Sequence, residues 1–421
     1  MRYSLVLLAF VFGTMLSIRT FAWAACFFLW NNIFQPLSFA HRHGALPVAQ
    51  FVLVILVLSF FINQNKNIFK PQMNYMVGMS IVFLAWLFIC SILSPFQGVV
   101  WSEYLTIIKY IAPLMLISSA LYCYKDILLV TATLMLSVGA WSAQGGVKGL
   151  VSGVTHNMAI RFSQMSDNND FMAAAVGIIP MLLFFMFNYK GKYRPQVKLF
   201  LCLMIILTLT AIVFSNSRGA VVGVIGLIAV YIVIVSMRKV RDLFILSFVV
   251  LSICFILPNS FWNRMSTIDF SIEQQTETSA SSRLHLMKSA LHCATDNPVF
   301  GVGPNLWLQV SERYAGDDTE PHSAYLKLAA ETGFVGAAIF LTLLLVTIKR
   351  LLAQRKRLLN NENYDLAKLS LALAMVLVGI AIPFTFLNHP YSEFLWAWLG
   401  VANAFLVLVS AEKEHVDLFA S

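Results

Sequence analysis

Thirteen apolar runs follow one another along this chain, near residues 4–18, 20–37, 45–63, 74–93, 104–122, 127–142, 170–188, 197–214, 218–236, 242–260, 324–347, 367–388 and 393–411. The longer ones reach the roughly 20 residues that a helix needs to cross the hydrocarbon core of a bilayer. The first two are short and separated only by Arg19. They form either one bent or re-entrant entry or two crossings, which gives 12 or 13 spans in all. A soluble domain is excluded by the charge content. Charged residues are 12% of the 421 and hydrophobic residues 59%, whereas soluble domains carry about 25% charged residues. The opening MRYSLVLLAF has the character of a signal peptide. No small-residue cleavage site follows before the next apolar run, so an uncleaved anchor is expected.

The formal net charge of +9 does not describe a nucleic-acid surface, because the positive residues sit mainly in short loops between apolar runs. Strongly basic loops occur at 189–198 (YKGKYRPQVK), 237–241 (MRKVR) and 348–358 (IKRLLAQRKRL), with a weaker one at 64–71 (QNKNIFKP). Loops of this kind stay in the cytoplasm. The alternation then runs without conflict from residue 45 to the end. It sends the loops at 38–44, 94–103, 143–169, 215–217, 261–322 and 389–392 to the other side, the periplasm if the membrane is a bacterial inner membrane. The C-terminal tail is expected in the cytoplasm. The six cysteines include no CxxC pair and lie mostly in or beside apolar runs, so neither a disulfide framework nor a zinc site is expected.

The chain divides into N-terminal transmembrane helices (1–260), a large outward segment (261–322) and C-terminal transmembrane helices (323–421). The middle segment is too long for an ordinary connection, and such loops are usually functional or disordered. SSRLHLMKSALHCA (281–294) predicts a folded helix capped by Ser281 or Ser282. Leu284, Met287 and Leu291 fall on one face and His285, Lys288 and His292 on another. The helix lies along the membrane surface or packs as a lid on the bundle.

Unusual polar groups gather on the outward side. Asp167, Asn168, Asn169 and Asp170 open the span at 170. They read as helix N-caps, as substrate contacts, or as part of a divalent cation site, although no second acidic cluster offers itself as a partner. Arg218 follows Ser215, Asn216 and Ser217 and precedes Gly219. It either snorkels to the headgroups or is held in a tight turn. With Arg161, Arg264 and Arg283 it makes four outward arginines. Arginine grips phosphate bidentately and keeps its charge, so recognition of a diphosphate is a natural use. NPVFGVGPNLW (297–307) contains a GxG that reads as a turn, since no strand precedes it and no GxxG follows. His322 begins the next span. The positive end of the helix dipole disfavours its imidazolium, so it is either a cap or a neutral general base.

PHSAYLKLAAETGFVG (321–336) resembles the P-H-N-x-Y-L-x-x-x-A-E-x-G-x-x-G signature of bacterial O-antigen ligases and of the related polymerases and protein O-oligosaccharyltransferases. SNSRGA resembles their S-x-S-R-G-A turn, and DNNDFMAAAVGIIP and NPVFGVGPNLW are similar to further family segments. Ser323 stands where the family more often has asparagine.

The resemblance implies an all-α polytopic membrane protein of the C-type glycosyltransferase fold, with about 12 transmembrane helices and one large, partly helical periplasmic loop. It implies transfer of a glycan from undecaprenyl diphosphate to a hydroxyl of lipid A–core at the periplasmic face of the inner membrane, without metal or cofactor and with inversion. His322 would be the base, and Arg161, Arg218, Arg264 and Arg283 would bind the diphosphate. Asn168, Asn169, Asp170, Tyr325 and Glu331 would support them. The expected partners are the lipid-linked donor, the acceptor and the bilayer, not nucleic acid. A polymerase or a ligase to protein would use the same donor. A lipid-linked glycan transporter would show internal repeats and polar sites at mid-membrane, and neither is visible here.

Overall fold

The computed structural model describes residues 2–39, 48–65, 73–152, 168–215, 217–235 and 279–419. Every regular element among them is helical, as a chain must be where lipid offers its backbone no hydrogen-bond partner. The helices are α1 (Arg2–Arg19), α2 (Phe21–Leu29), α3 (Pro36–Phe39), α4 (Val48–Asn65), α5 (Tyr75–Leu93), α6 (Gln97–Ala120), α7 (Tyr124–Ser152), α8 (Asn168–Asn188), α9 (Arg194–Phe214) and α10 (Arg218–Val235). After them come α11 (Ser279–Asp296), α12 (Ser311–Ala315), α13 (Ala324–Asn360), α14 (Tyr364–Ala381) and α15 (Glu393–Phe419). Among the described residues nine helices are long and apolar enough to cross a membrane, and three shorter apolar helices lie in the first 64 residues. The chain is a multi-pass membrane protein. The expected span at 242–260 lies outside the described residues.

The two short runs at the start are separate helices. The chain is extended at Thr20 (φ −142°, ψ 150°), and Phe10 of α1 then meets Phe27 of α2 edge to face at 5.3 Å. These two residues stand nearly the same number of positions either side of the break, so α1 and α2 run antiparallel. Two apolar boundaries need correction. α7 continues through QGGVKGLVS to Ser152, into what reads as the 143–169 loop. α13 continues through the basic stretch 348–358 to Asn360. Leu351 and Leu358 are buried there, and the Ser370 hydroxyl of α14 donates to the Leu351 carbonyl at 2.8 Å.

The bundle has two unlike ends. At one, Lys190 after α8 pairs with Asp365 at the start of α14 (2.6 Å), and Arg350 lies over the Tyr75 ring at the start of α5. At the other, the starts of α8, α10, α13 and α15 and the ends of α9 and α14 come together.

Residues 279–322 form a folded cap on that second end. Val100 of α6, Ala290 and Cys293 of α11, Val302, Leu306, Trp307 and Val310 of the connecting loop, and Ala330 of α13 make a small core of their own. Trp307 is fully buried and its indole N–H donates to the Thr319 carbonyl (2.8 Å). An aromatic side chain of this kind removes about 150–250 Å² from water, worth about 4–6 kcal/mol at the usual coefficient.

The face of α11 that packs on the protein is not the Leu284–Met287–Leu291 face. Leu284 and Leu291 are 50% and 44% exposed, whereas Leu286, Ala290 and Cys293 are buried. The buried stripe keeps the helical spacing but is built on small residues that let α11 approach α13 closely. The lid reading of this helix holds. It also begins two residues earlier than expected, at Ser279.

α13 is interrupted at Gly333 (φ 70°, ψ 175°), a conformation open essentially only to glycine. The carbonyls freed by the break are not left bare. The N–H groups of Val302 and Gly303 donate to the carbonyls of Ala330 (3.0 Å) and Glu331 (2.9 Å), and the Phe334 N–H donates to the Pro298 carbonyl (2.8 Å). The Trp86 indole donates to the Thr332 carbonyl (2.9 Å). The GxG at 301–303 is thus a turn that docks on a broken helix. A Cβ at Gly301 or Gly333 would run into the backbone of the partner segment.

Candidate functional site

His322 sits one residue before the cap of α13. Ser323 is extended (φ −152°, ψ 109°) and its hydroxyl accepts from the Leu326 N–H (3.4 Å). Serine and asparagine are equivalent in this role, which accounts for the departure from the family signature at this position. Capping is therefore done by Ser323 and not by the imidazole. The His322 backbone is left-handed (φ 50°), uncommon for a residue with a Cβ. Its Nδ1 lies 3.2 Å from Nδ2 of Asn388, in the eleven-residue connection (382–392) between α14 and α15.

The same loop carries His389, whose Nε2 lies 3.1 Å from Oδ2 of Asp170 in the first turn of α8. Burial works against the charged imidazole, but the hydrogen bond and charge of Asp170 outweigh it and raise the His389 pKa. Lys327 opposes this shift and Glu320 supports it. Beside Asp170, the Asn168 amide donates to the Ser215 carbonyl (3.1 Å) and the Ser217 hydroxyl donates to Asn169 Oδ1 (2.9 Å). These bonds tie α8 to the SNSRG turn, so Arg218, partly exposed at the first position of α10, starts from a fixed base.

Beneath this layer the two charges inside α13 find their partners. Lys327 Nζ lies 2.9 Å from Glu320 and 3.8 Å from Glu331. The Glu331 carboxylate is wholly buried. It accepts from the Trp307 N–H (3.2 Å) and the Tyr391 hydroxyl (3.0 Å). Burial and the Glu331 charge together push the Tyr391 phenol well above its ordinary pKa. Glu331 therefore clasps three segments: the cap at Trp307, the loop at Tyr391, and its own helix through Lys327. Tyr325, expected beside the site, donates its hydroxyl to the Ala381 carbonyl at the end of α14 (2.7 Å).

Of the site residues read from sequence, His322, Asn168, Asn169, Asp170, Arg218 and Glu331 fall at this end of the bundle. Arg283 is half-buried near the start of α11. Arg161, Arg264 and Asp167 lie outside the described residues. Among the described residues no three His, Cys, Asp or Glu side chains group as metal ligands would. Sequence reasoning missed Asn388, His389 and Tyr391. The signal was there in FLNHPYSEF (386–394), a cluster of polar groups in a short turn between two apolar runs.

Residues 203–341 match the family model described as O-antigen ligase. Residues 1–190 match a second model, described as a family of unknown function (DUF5935). No curated protein matches the chain. The first match runs from within α9 through the Arg218 turn, the cap and His322 into the broken helix, covers about a third of the chain, and supports a place in the O-antigen ligase family.

Proposed function

We propose that the chain transfers a glycan from undecaprenyl diphosphate to a hydroxyl of lipid A–core at the periplasmic face of a bacterial inner membrane. The observation that carries this reading is the position of His322. It sits ahead of a helix start that Ser323 already caps, at the end of the bundle where the Arg218 turn and the Asp170–His389 pair meet. The acceptor oxygen attacks the anomeric carbon and its proton passes to the imidazole of His322. The bond from that carbon to the diphosphate breaks, and the electron pair leaves with undecaprenyl diphosphate. A single displacement inverts the anomeric centre. Diphosphate is already a good leaving group, so no metal is required. Arg218, with Arg161, Arg264 and Arg283, would meet the charge that grows on it, in a site where fixed donors act more strongly than in water. Asn168, Asn169 and Asp170 would hold the Arg218 turn, and Glu331 would hold the cap over the site.

The test is transfer by the purified chain from a lipid-linked glycan, offered lipid A–core or a protein acceptor. Transfer to lipid A–core is expected, indifferent to EDTA, and lowered by about 10²–10⁴ in His322→Ala, the usual worth of a general base. Arg218→Lys keeps the charge but loses the planar fork, and should also fall sharply. Glycosylation of the protein acceptor alone would assign a protein ligase. An intact donor in every reaction would refute catalysis.

A further inference from the structure

The reaction asks one thing of His322 that its own side chain does not guarantee. To take a proton at Nε2, the ring must carry its other proton on Nδ1. The polar atom placed at Nδ1 is the amide of Asn388, 3.2 Å away. With Nδ2 turned toward the ring, the amide donates, Nδ1 is the acceptor, and the ring proton sits on Nε2. That form has no lone pair for the acceptor hydroxyl. The two ends of an amide share one outline. A half-turn of the Asn388 amide puts Oδ1 in the same place, where it accepts from Nδ1–H.

Oδ1 in its present position is buried and has no hydrogen-bond partner among the described residues, so the half-turn costs that oxygen nothing. Either orientation pairs one end of the amide and leaves the other alone. The hydrogen-bond count is neutral, and the destination of the proton decides. Resting on the assignment of His322 as the base, we propose that Asn388 is the positioning residue that selects its reactive tautomer, accepting the Nδ1–H through the amide oxygen and leaving Nε2 unprotonated.

The placement of Asn388 suits this role. Its loop is fastened twice just after it, one residue later by His389 on Asp170 (3.1 Å) and three residues later by Tyr391 on Glu331 (3.0 Å). His322 is fixed by its left-handed backbone and by the capped helix behind it. The charged and titratable groups of the surrounding elements are Glu320, Lys327 and Glu331 from the His322 segment, His389 and Tyr391 from the loop, Asp170 from α8 and Arg218 from α10. The described contact at Nδ1 is the Asn388 amide.

The experiment measures kcat against pH for the full chain, with the acceptor on which the parent turns over. It compares the parent with Asn388→Ala, Asn388→Asp and His322→Ala, each checked for an unchanged unfolding midpoint. Asn388→Ala should lower the plateau rate by at least about 10-fold, and by up to the roughly 10⁴-fold seen when a base loses the partner that sets its tautomer. Asn388→Asp is isosteric and can only accept, so it should keep the plateau. Its carboxylate favours the imidazolium, so the rising limb should move up by about 1–3 pH units. A parent-like rate in Asn388→Ala would overturn the proposal, as would an unmoved limb in Asn388→Asp. Inactivity of folded Asn388→Asp at every pH would show that the amide donates to the ring, and would overturn it too. Those results, with His322→Ala inactive, leave the base in place. Turnover by His322→Ala removes the base itself.

Discussion

Gly333→Ala should be among the most damaging single-methyl changes this chain can suffer. Two costs add. The backbone at 333 (φ 70°, ψ 175°) lies where a side chain costs about 1–3 kcal/mol. The new Cβ also meets the Val299 carbonyl, so the loop must retreat. Retreat strains the three junction hydrogen bonds, from Val302 to Ala330, Gly303 to Glu331 and Phe334 to Pro298. At about 0.5–1.5 kcal/mol each, their loss brings the total to about 3–7 kcal/mol. Gly316→Ala is the control. Gly316 also has a positive φ (78°), but its Cβ would enter open space, so only the backbone cost of about 1–2 kcal/mol applies. Heating both variants in detergent and following the monodisperse fraction by size-exclusion chromatography compares them directly. Gly333→Ala should be lost many degrees below Gly316→Ala, and transfer should go with it. Equal midpoints would refute the account of the broken helix as a docking joint.

The Asp170–His389 pair makes stability depend on pH. The folded state raises the His389 pKa, so the stabilisation is fully present below the unfolded value of about 6.5 and is lost as pH rises through the folded value. The unfolding midpoint should therefore fall as pH rises above about 6.5, and Asp170→Asn should flatten that part of the curve. A parent and variant with superimposable pH profiles would rule the pair out as the cause. Topology is open to a labelling test in a background without native cysteines. Asp317→Cys in the cap should react from the periplasm, and Lys192→Cys and Lys356→Cys only after the inner membrane is permeabilised. Reaction of Asp317→Cys from the cytoplasm would invert the orientation.

The spans were legible because a lipid environment imposes one rule, length of apolar run, on every crossing. Within about three residues at most ends, α4, α5, α8, α9 and α10 begin and end where their runs do. Boundaries failed where a second force acted. Gly145 and Gly146 read as a loop, yet at 146 the missing Cβ admits the Leu207 backbone of α9, and the helix runs on. The face of α11 failed because periodicity marks large apolar residues, whereas a close helix contact selects small ones such as Ala290. His322 and the Arg218 turn were legible as local motifs. Asn388 and His389 were visible as polar residues in a short turn, but their roles were not, because those come from partners 66 and 219 positions away in the chain, His322 and Asp170.

The seam between the two family matches runs through the site. Asp170 belongs to the stretch of unknown function, Arg218 and His322 to the ligase stretch, and Asn388, His389 and Tyr391 to a tail that neither model reaches. Asn32 in the first stretch also reaches Glu393 in the tail (2.7 Å). The ligase stretch is therefore no transplantable cassette. Grafted alone, it would bring His322 without the amide beside it and the arginine turn without the asparagines under it. A change that alters this end of the bundle can arise more than a hundred residues from the motif around His322, as at Asp170 under the His389 loop.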